Sequence, residues 1–212
     1  MNLFGNRWKD KHNPKGVSVP SFNVKDYVKV YKNVLDSDHV QEYNEHFKNL
    51  NWEKHHFHDN ITNETVTYDD DLDVFHPEMI NNKELGACHV RLMKKVWHVI
   101  RRYHDELGAF WYNNWKGYTP IRYNRYCPGQ KMKVHCDHIH TIFDGNVKGI
   151  PILSIVGVIN DDYEGGEFIM WEKQEIKLPA NSVLVFPSTF VYPHKVMPVK
   201  SGFRYSYVSW VY

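Results

Sequence analysis

The chain has 212 residues, room for one domain of ordinary size with a modest extension and too few for several separate cores. Its 26 basic and 25 acidic side chains nearly cancel, so net charge offers no polyanion-binding surface and argues against a nucleic-acid partner. Three cysteines, Cys88, Cys127 and Cys136, without framework spacing argue against a disulfide scaffold and suit a reducing, cytoplasmic compartment. No apolar run is long enough to span a membrane, and the opening "MNLFGNRWKDKHNPKG" lacks the apolar centre of a secretory signal.

Residues 1–26 are polar, with Gly5, Pro14, Gly16 and Pro20, and read as an extended arm ahead of one domain over 27–212. "YVKVYKNVL" (27–35) alternates and predicts a strand. Asp36 or Ser37 then caps a helix through "DHVQEYNEHFKNL". Residues 51–80, rich in Asn, Asp and His, read as a long irregular loop. From Asn82 to Leu107, the apolar residues Leu85, Cys88, Leu92, Val96, Val99 and Tyr103 recur at three- and four-residue steps and predict a long helix. Helical support thus occupies about 36–118.

Beyond Thr119 the texture changes. "PIRYNRY", "KMKVHCD", "PILSIVGVI", "EFIMWE", "QEIKL", "SVLVFP" and "FRYSYVSWVY" are short β-type runs, parted by turn signals such as Pro128-Gly129 and Gly165-Gly166. Helices followed by many short strands predict an α+β fold, a β-roll over about 119–212 braced by the N-terminal helices.

Fourteen histidines invite a metal-site reading, but about 1.7 His-x-acid pairs are expected by chance alone. Three occur. His104 and Glu106 sit two apart on the long helix and face different ways. His76 and Glu78 sit in a polar stretch interrupted by Pro77. His135 and Asp137 end a β-type run, where residues two apart share a face and Cys136 points to the other. A third ligand must come from another strand, and His194, shortly after "SVLVFP", suits it. Two histidines and a carboxylate make the facial triad of non-haem Fe(II) oxygenases, leaving His138 and His140 to the following loop. Arg204 lies on the last long strand with Ser206 on the same face. An arginine turned into a roll is costly unless it meets an anion, and its planar fork matches a carboxylate.

The motifs "PIRYNRYCPGQKMKVHCDHIH", "PILSIVGVINDDYEGGEFIMW" and "SVLVFPSTFVYPHKVMPVKSGFRYSYVSW" stand in that order. Together they resemble the 2-oxoglutarate and Fe(II)-dependent dioxygenases in their prolyl 4-hydroxylase-like branch. The resemblance covers about 119–212 and implies a double-stranded β-helix (jelly-roll) core. It implies Fe(II) on His135, Asp137 and His194, and 2-oxoglutarate with its far carboxylate on Arg204. Tyr126 would donate its hydroxyl to the cosubstrate, assisted by Ser154 or Ser206. O2 would be the second cosubstrate, and the resemblance leaves room for ascorbate as a reductant. The activity implied is hydroxylation of a prolyl residue in a peptide or protein, with release of succinate and CO2. Two alternatives stand beside it: a hydroxylase of a free amino acid or other small molecule, and a non-enzymatic metal-binding jelly-roll. Two long irregular segments, 55–75 and 138–150, would wall a cleft for an extended peptide. No second arginine stands beside the motifs to grip a small amino acid, which favours the peptide.

Overall fold

Asn82 and Gly108 bracket the longest element. The Asn82 side-chain oxygen accepts from the backbone N–H groups of Glu84 and Leu85, and Gly108 turns the chain out at a φ of 57°. The computed structural model describes residues 23–59, 62–108, 117–137 and 151–212. Over the first part of the chain these form β1 (Lys29–Lys32), α1 (Ser37–Lys48), β2 (Glu53–Lys54), β3 (Phe57–Asp59), β4 (Glu64–Val66), β5 (Asp73–Phe75) and α2 (Lys83–Leu107). Then come β6 (Arg122–Tyr126), β7 (Met132–His135), β8 (Leu153–Val158), β9 (Glu164–Gly165), β10 (Phe168–Met170) and β11 (Gln174–Ile176). The last four are β12 (Ser182–Pro187), β13 (His194–Val196), β14 (Val199–Ser201) and β15 (Arg204–Val211).

Two antiparallel sheets face each other. The larger runs β1-β12-β8-β15-β6-β5-β2, and the smaller runs β11-β10-β13-β7. Strand alternation gives the larger sheet two apolar faces. On β15, Tyr207 and Val211 turn towards the helices and join Phe47, Leu85, Leu92 and Tyr123 in one core. Between the sheets, Leu184, Phe186 and Val156 meet Met132, Phe168 and Met170 in a second core. Arg204 and Ser206, one step out of phase with Tyr207, therefore point between the sheets. This is the predicted jelly-roll with helices bracing one face.

Three stretches depart from the sequence expectations. The predicted strand over 27–35 begins instead with a 3-10 turn, Val24–Tyr27, capped by Asn23, and the strand proper is only Lys29–Lys32. The turn spans the expected boundary at 26 and is pinned by Tyr103 Oη on the Tyr27 carbonyl at 2.7 Å. Residues 51–80 are not an irregular loop: β2 and β5 extend the main sheet, and β3 and β4 form a hairpin. The polar sequence hides this because β5 is held by a cross-strand ion pair, Asp73 with Arg125 of β6 at 2.8 Å. Asp36 sits at the N-cap of α1 but makes no side-chain cap bond. The expected arm over 1–22, the loop over 138–150 and with it His138 and His140 lie outside the described residues.

Gly157 shows how tightly the helical face is packed. It lies opposite Tyr207 across β8 and β15, and a Cβ built on it would sit 1.9 Å from the Tyr207 ring. Gly157→Ala should lower the unfolding free energy by about 1–3 kcal/mol, the cost of overpacking a filled core. Gly86, inside α2, would place a Cβ 3.7 Å from the Ile80 side chain, which is ordinary contact. Gly86→Ala should therefore stabilise the fold by about 0.5–1 kcal/mol. Urea denaturation of both variants beside the parent chain checks the two opposite signs.

Candidate active site

Strand pairing builds the centre. His194 opens β13 directly opposite His135, the last residue of β7, and the two rings lie 4.3 Å apart between centroids. Asp137 follows two residues later, its Oδ1 3.3 Å from His135 Nε2 and 3.7 Å from His194 Nε2. One donor atom from each of the three residues falls within 4.8 Å of the others. Both imidazoles are oriented from behind: His135 Nδ1 lies 2.8 Å from the Lys133 carbonyl, and His194 Nδ1 lies 3.1 Å from that of Tyr192. A carbonyl only accepts, so each Nδ1 carries a hydrogen and each Nε2 is turned towards Asp137, to donate to it when protonated or to offer a lone pair to a metal when neutral. Phe168 stacks on His194 at 5.2 Å, and Phe186 meets it edge-on at 5.0 Å, fixing the ring.

The charges are coupled. Burial alone would raise the Asp137 pKa, but the hydrogen bond with His135, the His194 and His135 charges and the Ser154 hydroxyl outweigh it and hold the carboxyl well below the usual range. Burial opposes charge on His135, yet its bond to Asp137 lifts its pKa above the ordinary value. Burial depresses that of His194. Two neutral nitrogens and one carboxylate oxygen on a single side match the donor set for Fe(II) with its other face open.

Arg204 occupies the same cavity, together with Tyr126, Ser206, Met132 and Val196. It is 1% exposed, one of the largest fully buried side chains. Its Nη1 donates to Ser206 Oγ at 2.9 Å, while Nε and Nη2 have no acceptor among the described residues. Tyr126 lies opposite it in register, with its ring 5.1 Å from the guanidinium carbon. A buried guanidinium with two idle donors is a strongly unfavourable arrangement unless an anion completes it. The residues therefore fit a diacid cosubstrate as well as a metal. Ser154 is placed elsewhere: it is fully buried, bonded to Ser188 Oγ at 2.8 Å, and acts on Asp137 rather than lining the cavity.

Residues 121–212 match the 2OG-Fe(II) oxygenase superfamily. Over those residues the β-roll is similar to the 2OG-Fe(II) oxygenases. Among curated relatives, a PKHD-type hydroxylase of Paraburkholderia xenovorans is 34% identical over 99 residues, 44% of this chain and 42% of the relative. One from Xylella fastidiosa is 33% identical over 109 residues, 43% of this chain and 44% of the relative. The matches thus span under half the length of these relatives. Among solved structures, a prolyl hydroxylase of Trichoplax adhaerens, in complex with a hypoxia inducible factor oxygen degradation domain peptide fragment, has a TM-score of 0.64 at 18% identity. The alignment covers 88% of this chain and 83% of that one. A viral collagen prolyl hydroxylase from Paramecium Bursaria Chlorella virus-1, as a 2OG complex, has a TM-score of 0.57 at 15% identity, covering 87% and 94%. At such identities the likeness is one of fold, and it extends over the helical part as well as the β-roll. No helix among the described residues is long and apolar enough to cross a membrane.

The cavity also holds residues the sequence reading passed over. Arg122, Asn124 and Trp210 line it, so a second arginine does stand at the site, contrary to the expectation that favoured a peptide. Arg122, Asn124 and Tyr126 alternate along β6, and that period of two was the available signal. Elsewhere, Glu42, His46 and Cys88 also come within chelating distance, from α1 and α2. There Arg91 bonds both Glu42 and Cys88, so a cation already fills the role of a metal. Cys136 stays out of the triad, bonded to the Phe190 carbonyl at 3.5 Å.

His55, from the segment between β2 and β3, closes on Arg122 with Nε2 3.1 Å from Nη1. Burial and the Arg122 charge push its pKa down to about 3. The folded value lies below the unfolded one, so as pH falls the unfolded chain takes the proton first. Stability is thus intact above about pH 6.5 and is lost as pH falls through the window towards 3. His55→Gln should reduce the slope of the urea midpoint against pH between about 6.5 and 5, where ordinary carboxylates remain ionised.

Proposed function

We propose that the chain is a 2-oxoglutarate- and Fe(II)-dependent hydroxylase acting on a prolyl residue of a peptide or protein. One observation carries this reading: the buried Arg204, with two idle donors, shares a cavity with His135, Asp137 and His194. His135, Asp137 and His194 would hold the iron. Arg204 would grip the far carboxylate of 2-oxoglutarate, with Ser206 steadying the fork and Tyr126 presenting its ring and hydroxyl beside it. When bound, Fe(II) with 2-oxoglutarate and O2 supplies oxidative decarboxylation of the cosubstrate to succinate and CO2 and places one oxygen into a C–H bond. The chain's own part is to orient two imidazoles, keep Asp137 ionised and exclude water with Phe168, Met132, Val156 and Val196. Support for a prolyl substrate comes from the similar folds of prolyl hydroxylases, one of them in complex with a peptide. The three free cysteines support a reducing, cytoplasmic setting. A second reading, hydroxylation of a free amino acid, is favoured by Arg122, a further cation at the cavity.

Incubation with Fe(II), 2-oxoglutarate and O2, in the presence of proline-containing peptides or free L-proline, separates the readings by mass spectrometry. The proposal expects one oxygen gained by a peptide together with succinate. Oxygen gained by free proline alone would select the second reading, and absence of succinate under all conditions would overturn both. His135→Ala, Asp137→Ala and His194→Ala should each abolish succinate formation and equilibrium Fe(II) binding while circular dichroism stays that of the parent. Arg204→Lys should weaken 2-oxoglutarate binding roughly tenfold and Arg204→Ala further, since a charged hydrogen-bonded contact contributes about 1.5–3 kcal/mol.

A further inference from the structure

We propose that Arg122 is the anchor for a carboxylate carried by the substrate. The inference rests on the oxygenase reading above and assigns the chemical class of what that site takes. Arg122 and Tyr126 lie on one face of β6, four residues apart, or roughly 13 Å along the strand. Arg204 stands opposite Tyr126, while Arg122 pairs with Val208, so the two arginines enter one cavity from different positions along the strands.

The contacts of Arg122 leave it without a carboxylate at ion-pair distance among the described residues, Asp137 acting on it only through space. Its Nε donates to Asn124 Oδ1 at 3.2 Å and its Nη1 meets His55 Nε2 at 3.1 Å. A guanidinium has no acceptor, so His55 Nε2 must present its lone pair and the imidazole is neutral. Among the described residues Arg122 forms no ion pair, and its Nη2 has no hydrogen bond. Its guanidinium carbon lies 5.5 Å from the Trp210 ring centroid. Trp210, also lining the cavity, keeps a buried indole N–H with no acceptor among the described residues. Two groups that can only donate thus flank the same end of the cavity beside apolar Val208. One guanidinium edge and one indole N–H suit a monoanion such as a carboxylate. Phosphate would need more cations than this end provides. The carboxylate can come from a free amino acid or from an acidic side chain beside the target residue of a peptide.

Isothermal titration under anaerobic conditions, with Fe(II) and 2-oxoglutarate at saturation, tests this. Two matched pairs are compared: L-proline with L-prolinamide, and a proline-glutamate peptide with its proline-glutamine counterpart. The expected result is that the carboxylate member of at least one pair binds ten times or more tightly than its amide. Preference in the first pair identifies a free acid, and preference in the second an acidic peptide. Arg122→Gln should remove the preference, and Arg122→Lys should restore part of it, while 2-oxoglutarate binds all three proteins equally. The 2-oxoglutarate titration reports the oxygenase reading separately from the carboxylate site. No preference in either pair by the parent chain overturns the proposal without recourse to any variant. So does a preference that survives in Arg122→Gln.

Discussion

The pairing of β13 with β7 is the constraint on which the site depends. It sets His194 opposite His135, and the chain bend after β7 brings Asp137 back to both. A slip of one residue would turn one imidazole to the other face of the sheet and leave no common point for the three donor atoms. The smaller sheet is held in place by its packing on the larger one, where Phe168 and Phe186 enclose His194. The larger sheet in turn leans on α1 and α2 through Phe47, Leu85, Leu92 and Tyr207. Helices far from any chemistry thus fix where the metal-binding atoms point.

Electrostatics in the cavity follow from burial. A single carboxylate, Asp137, faces two histidines and shares the cavity with two arginines. Its pKa is held down because every near neighbour prefers it charged. Arg204 and Arg122 differ in how they are supported: Arg204 has one serine and otherwise idle donors, whereas Arg122 is steered by an amide and a neutral imidazole. Neither finds a carboxylate of the protein to pair with among the described residues. A protein interior tolerates such cations where a ligand completes them.

Much of this was legible in the sequence, and the reasons are specific. The helix stripe from Leu85 to Tyr103 repeats at helical spacing over many turns, so α2 emerges within a residue of its expected ends. The β-type runs after Thr119 all appear as strands because turn residues separate them. His135, Asp137, His194 and Arg204 were accessible through spacing on strands, where residues two apart share a face. Residues 51–80 were not legible, because β2 and β5 are two and three residues long and owe their place to partners distant in sequence, above all Arg125. Arg122 was passed over for a related reason. The period of two along β6 puts it on the Tyr126 face, but its contacts come from His55 in that same polar segment and from Trp210 on the last strand, which lie far from it in sequence.

The central claim is that one cavity binds a metal through three side chains and 2-oxoglutarate beside it. Anaerobic addition of Fe(II) and then 2-oxoglutarate, followed by visible absorption, tests this directly. The account predicts a weak charge-transfer band that appears only when both are present and saturates at one iron per chain. Iron that binds while 2-oxoglutarate leaves the spectrum unchanged would contradict it.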